Sequence, residues 1–306
     1  MRGIIINKSR LSFLLAFLAA GIWGFLSIPL RSLSGYSIEE IVFYRILVSM
    51  LFLVFFQILF NRSRLKKEIE VFRVMPVIKT KNWILLCLAS SLLLTANWYS
   101  FIFVINRVNI QSAAFAYMVC PLLTASIAFG VLREKISVLQ KIALSIASLA
   151  IILLSFKYLN DVLWSFLVAI WYSIYLVIQK FSPPMDKGIF LCLQLILSSI
   201  FILPYFLWKQ LPFPLDLHFW LIISLVAIFF TVLPLYLSLY SLETISSTTM
   251  GIILYFNPIV AFSVAILYFN EQVNLFKLCS YGLVLIAVIL FNIKHFSFLL
   301  KTKPIA

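Results

Sequence analysis

The chain has 306 residues, of which 64% are hydrophobic and 11% charged, against about 25% charged in a soluble domain. With a mean hydropathy of +1.11 it is a polytopic membrane protein, not a soluble globular one. The formal net charge of +14 invites a nucleic-acid reading, but the basic residues follow membrane topology instead, as counted below.

Apolar stretches predict ten spans, at 11–30, 38–60, 83–105, 109–131, 138–156, 162–179, 189–208, 219–241, 247–269 and 274–293. The first stretch runs on as a full span without a small-residue cleavage pattern, so no cleavable signal peptide is expected. It carries Trp23 near mid-span, away from the headgroup level where an aromatic belt belongs. Arg45 lies about a third of the way into the second span, behind Glu39 and Glu40. An arginine at a span centre costs about 2.5–3.5 kcal/mol. Three readings remain open for it: snorkelling to the headgroups, pairing with Glu40, or contact with an anionic group of a substrate. The segment 61–82 reads as the longest loop and is strongly basic. Asn97 and Trp98 follow in the third span, where a buried amide needs a neighbouring helix or a ligand as partner.

Tyr117 and Pro121 mark the fourth span, Trp171 the sixth, Pro234 the eighth, and Tyr255, Asn257 and Pro258 the ninth. Each proline removes a backbone donor, freeing the carbonyls of Tyr117, Phe230 and Leu254. In hydrocarbon such a carbonyl needs a partner or a water-lined cavity. Pro121, Pro234 and Pro258 are therefore helix-bending candidates, either structural kinks or the walls of a central cavity. The aromatic lining expected for that cavity is Trp23, Tyr117, Trp171 and Tyr255, with Arg45, Asn97, Trp98 and Asn257 as polar or adjoining candidates.

With the N-terminus in the cytoplasm, 18 of the 24 basic residues fall on the inner side and 5 on the outer, Arg45 being within a span. The acids divide five and five. This split satisfies the positive-inside rule and assigns both termini to the cytoplasm. Anionic lipid accounts for the basic excess without nucleic acid.

The chain also repeats itself. The step Pro121 to Glu134 recurs as Pro258 to Glu271, a shift of 137 residues that also superposes Tyr99 on Tyr236, Ser112 on Thr249 and Ala114 on Gly251. Around Trp23 and Trp171 the shift is 148, the difference falling mostly in 61–82. Five spans per half invert the second copy, so Glu134 and Glu271 mark opposite faces. The expected fold is an all-α polytopic membrane protein of ten helices, as two inverted-topology five-helix repeats, 1–158 and 159–306.

Catalytic chemistry finds little support. His218 and His295 lie near opposite faces, and nothing resembles a nucleophile–base pair. The four cysteines sit in apolar stretches without metal-site or disulfide spacing, and read as small buried hydrophobes. No catalytic residue, metal or cofactor is expected. The leading reading is a secondary transporter, exporter or exchanger, of a small metabolite or drug-like compound across the inner membrane. The alternatives are a polytopic receptor or scaffold, and a membrane-embedded lipid-modifying enzyme. No carboxylate falls at mid-membrane, which argues for a facilitator or exchanger over a carboxylate proton relay. The expected partners are a small-molecule substrate and the lipid bilayer, not nucleic acid; a homodimer is compatible with this reading.

Several landmarks in order carry a resemblance. They are GIWG at Gly21–Gly24, EIVFYR at Glu40–Arg45, NW at Asn97–Trp98, AYMVCPL at Ala116–Leu122, TVLPLY at Thr231–Tyr236, and TTMGIILYFNP at Thr248–Pro258, followed by Glu271. Together they resemble the EamA branch of the drug/metabolite transporter superfamily, within it the RarD permeases, over nearly the whole chain. The resemblance implies two five-helix repeats, a central pocket, and export or exchange of metabolites. The superfamily handles amino acids, purines, adenosylmethionine and sugar nucleotides. The chain departs from the RarD pattern at Cys120, where asparagine is expected, and at Asn257, where glycine is usual. Both departures fall at the expected pocket.

Overall fold

The computed structural model describes residues 8–74, 76–132, 137–179, 181, 185–241, 244 and 253–301, and within them every regular element is helical. The elements are α1 (Lys8–Gly24), α2 (Ser27–Ser32), α3 (Ile38–Phe60), α4 (Arg62–Arg73), α5 (Val77–Phe103), α6 (Ile110–Leu132), α7 (Val138–Gln179) and α8 (Lys187–Trp208). They continue as α9 (Leu217–Ala227), α10 (Leu233–Ser241), α11 (Phe256–Leu267) and α12 (Leu275–Lys301). Among the described residues seven helices are long and apolar enough to cross a bilayer, and Phe256–Leu267 and Leu275–Phe291 are shorter apolar helices. Glu134, Thr249, Gly251 and the start of the predicted ninth span lie outside the described residues.

Two elements differ from the sequence expectation. The first span, Leu11–Ser32, is interrupted rather than one regular helix. Pro29 has no N–H to offer the carbonyl of Phe25, which accepts from Ile28 N at 3.0 Å instead, and the chain breaks between α1 and α2. The segment 61–82 is not a loop: it forms α4, exposed and basic, and the beginning of α5. Its charged residues alternate with Ile69 and Phe72, the pattern of a helix lying along a membrane surface.

α7 runs through the two predicted spans 138–156 and 162–179; its 42 residues would make a straight rod of about 63 Å, about twice the hydrocarbon thickness. Tyr158 interrupts it with φ −130° and ψ 45°. Ser165 Oγ donates to Ser112 O at 2.8 Å and Ser173 Oγ to Cys120 O at 3.0 Å, the same offset of 53 residues. The second arm of α7 therefore runs parallel to α6. The first arm starts beside the end of α6 and packs back along it, so the chain reverses at Tyr158.

The packing is that of a membrane interior. Lipid is as apolar as leucine, so helices associate through close contact and hydrogen bonds. Ala143, Ala147 and Ala150 line the buried face of α7, while Leu149, Ile152, Leu153 and Phe156 point outward. Buried positions also hold polar groups, including Ser49, Ser90, Ser91, Asn97, Ser112 and Ser173. Cys87, Cys120 and Cys192 are buried, but Cys279 is exposed on α12, against expectation.

At Gly24, the last residue of α1, a side chain would collide with another helix. A Cβ there would sit 2.4 Å from Val260 Cβ and 3.1 Å from the Asn257 carbonyl oxygen, both on α11. This contact ties the first helix of the chain to the helix that carries Asn257. Gly24→Ala is expected to cost about 1–3 kcal/mol of stability through forced separation of α1 and α11. The measurement is the unfolding temperature of the detergent-solubilised variant; an unchanged value contradicts the close approach.

Candidate functional site

α6 is the helix around which the site is built. It starts abruptly at Ile110, so its first N–H groups need outside acceptors. Asn109 Oδ1 accepts from Ser112 N at 2.7 Å. Two more come from far along the chain: Glu271 Oε1 accepts from Ile110 N at 2.8 Å and Oε2 from Gln111 N at 3.2 Å. Arg31 Nη2 also donates to Glu271 Oε1, at 3.2 Å. Beside it, Asp161 Oδ2 accepts from Lys277 Nζ at 2.7 Å and from Asn109 Nδ2 at 3.1 Å. Asn274 hydrogen-bonds Tyr158. Asp216 accepts from Tyr36 at 2.9 Å, and the His218 N–H with that hydroxyl holds its carboxyl below the ordinary value. These contacts join elements from both halves at one end of the helix bundle.

Glu271 reaches α6 through local geometry. α11 stops with Asn270 in the left-handed region at φ 52°, and Glu271 N returns to Ala265 O at 2.9 Å. Asparagine tolerates that conformation better than most residues.

Below this seal lies a cavity of about 420 Å³. The structure brings Trp23, Arg45, Asn97, Trp98, Tyr117, Tyr255 and Asn257 to its wall, together with Pro121. Trp171 is not on that wall; its neighbour Tyr172 is, with Tyr175 one turn further. The α7 face that meets α6 carries Ser165, Ala169 and Ser173, and Trp171 falls off the cavity side of that stripe.

The prolines behave differently from one another. Pro121 lies inside the unbroken α6. Pro258 lies just past a one-residue break at Tyr255, with Ile253 and Leu254 helical before it and α11 after it, the place where a proline interrupts a helix. Pro234 follows a π-helical turn, Ile228–Val232, in which Leu233 N donates to Ile228 O, and it does not line the cavity. Pro204, inside α8, was a further mid-helix proline in the sequence.

Arg45 is 2% exposed, which rules out snorkelling. Nor does it pair with Glu40, whose carboxylate accepts from Ser37 N at 2.8 Å and Ser37 Oγ at 2.7 Å in a capping box. Its Nε donates to Thr231 Oγ1 at 3.0 Å, its guanidinium carbon lies 4.8 Å from the Trp98 ring centroid, and its Nη1 is buried without a partner. Thr231 donates its own proton to Val226 O at 2.9 Å, which leaves its oxygen to accept from Arg45. Thr231 was legible only as a hydroxyl three residues before Pro234; the π-helical turn aims it.

Asn97 is spent between helices. Its Nδ2 donates to Val168 O at 3.0 Å and its Oδ1 accepts from Tyr117 at 3.3 Å. Tyr117 packs edge-on against Phe101 and Tyr172, and Tyr172 stacks on Tyr175. Cys120 Sγ lies 3.4 Å from Ser173 Oγ. The result is an aromatic chamber with one cation in its wall among the described residues. Among the described residues no group of histidines, cysteines and acids could hold a metal ion.

These features are those of a helical membrane protein with an internal chamber. The model of the EamA-like transporter family matches residues 10–156 and 160–293, and the chain belongs to that family, in the drug/metabolite transporter superfamily. It is similar to the uncharacterized transporter YojE of Bacillus subtilis, 24% identical over 88% of this chain and 89% of that protein. An uncharacterized transporter of Vibrio cholerae is 25% identical, covering 94% of this chain and 93% of its own length. Protein RarD of Salmonella typhimurium is 22% identical over 93% of this chain and 95% of its own, and the chain is a RarD-like permease. A crystal structure at 12% identity shares the fold, with a TM-score of 0.59 over 95% of this chain and 99% of its own.

The polar seal is open to test by a double-mutant cycle. Arg31→Gln and Glu271→Gln should each lower the unfolding temperature, Glu271→Gln more because it also weakens the α6 start. The double variant should lose less than the sum, with a coupling of about 0.5–2 kcal/mol. Strict additivity contradicts the pair.

Proposed function

We propose that this protein is a secondary transporter, an exporter or exchanger, that moves a small metabolite or drug-like compound across the inner (cytoplasmic) membrane by alternating access. The carrying observation is the cavity itself, whose wall takes residues from both halves of the chain and whose one end is sealed by Glu271, Arg31 and the start of α6. In this reading the chain forms ten spans as two inverted five-helix repeats, 1–158 and 159–306. The reversal at Tyr158 and the two separate family matches support it. The basic surface of α4 favours the cytoplasm for its side of the membrane, and both termini with it. The sealed end then faces outward. Trp23, Trp98, Tyr117, Tyr255 and Asn257 contact the cargo, while Asn97 holds the chamber's shape. A homodimer in the bilayer is compatible with this reading.

Purified protein in liposomes should exchange a labelled metabolite against the same unlabelled compound inside. Failure of every compound that stabilises the folded protein to move removes the proposal's support. Orientation has its own measurement. With the native thiols replaced, a cysteine at Lys209 should react with an impermeant maleimide in intact cells, and one at Lys66 only after the membrane is opened. The reverse pattern turns the topology over.

A further inference from the structure

Arg45 is the one charged residue on the cavity wall, and no carboxylate shares that wall among the described residues. A buried cation without a counter-ion is costly, and its partner is usually found close by. Here the nearby acid, Glu40, is committed to the start of α3. Thr231 takes Nε and Trp98 takes the face of the guanidinium, so the group is held in place while Nη1 is left without an acceptor. A fixed, desolvated cation of this kind is a strong hydrogen-bond partner for an anion in the cavity.

We propose that the cavity binds a small aromatic monocarboxylate, its carboxylate at the Arg45 guanidinium and its ring among Trp23, Trp98, Phe101, Tyr117 and Tyr172. The assignment rests on the transport reading for its claim that this anion is the cargo. A single guanidinium matches one negative charge; among the described residues the wall has no other base for the second charge of a phosphate dianion, and no acid for the ammonium of a zwitterion. The aromatic side chains favour a flat apolar body, and 420 Å³ lies within the range of about 300–1,000 Å³ usual for small-molecule sites.

The test uses the full-length protein in detergent and isothermal calorimetry with benzoate and indole-3-acetate. Their neutral amides, phenyl phosphate, phenylalanine and benzylamine serve as comparisons. The acids should bind at least about tenfold tighter than the amides, because the charge-assisted bond is the difference between them. Arg45→Gln should bring the acids down to the amide level and leave the amides unchanged; Arg45→Lys should fall between, since a lysine cannot keep the guanidinium's two fixed engagements. Equal binding of acid and amide overturns the assignment, as does absent binding of the acids, a parallel loss of both in Arg45→Gln, or tighter binding of any comparison compound. Should Arg45→Gln fail to fold, the acid-to-amide ratio of the unaltered protein still decides.

Liposome flux separates the two proposals. Acids that bind through Arg45 but do not move leave the anion site standing and remove its role as a cargo site; the transport reading falls only if no stabilising compound moves. Movement of a neutral or cationic compound with no binding of the acids removes the anion site and leaves the transport reading standing.

Discussion

The start of α6 depends on a carboxylate that lies about 160 residues away in sequence. A helix cannot begin inside or beside a membrane with its first donors unpaired, since hydrocarbon offers no water to take them. Glu271 meets two of those donors and the guanidinium of Arg31 at once. The same contact fixes where α6 sits against α11, and α6 carries Tyr117, Cys120 and Pro121 into the cavity. Disturbing this contact disturbs the chamber wall and the seal together, so the closure of one end and the shape of the chamber are a single structural matter.

Arg45 presents the opposite situation, a polar group held but incompletely satisfied. The π-helical turn at Ile228–Val232 is what makes the difference. Pro234 cannot continue a regular ladder, the turn widens, and Thr231 is aimed at Nε. The helix irregularity, the buried cation and the aromatic wall are thus one arrangement.

The paired landmarks Pro121 and Pro258 show how far a repeat reads through. Their equal spacing to Glu134 and Glu271 made two equivalent mid-helix bends the natural expectation. Pro121 lies within a continuous helix, whereas Pro258 follows an interruption at Tyr255. Trp171 shows the same limit on a smaller scale: the repeat matched it to Trp23, yet Tyr172 reaches the chamber. One residue along a helix turns a side chain by about 100°, and sequence similarity alone does not set the rotation of a helix about its axis. For Arg45, three outcomes were compatible with position and charge, and only burial together with the engagement of Glu40 removed two of them.

By itself the sequence determined that this chain lives in a membrane, that it is helical, where most of its apolar segments lie, and to which family it is related. Those properties follow from hydropathy summed over about 20 residues and from motif order, both of which are local along the chain. The tertiary structure alone decided that Glu271 caps α6, that Asn97 is consumed between helices, that Gly24 admits α11, and that Arg45 keeps a free donor in an aromatic chamber. Each of these depends on groups between about 20 and 240 residues apart being brought within hydrogen-bond or van der Waals reach. Only packing sets such distances.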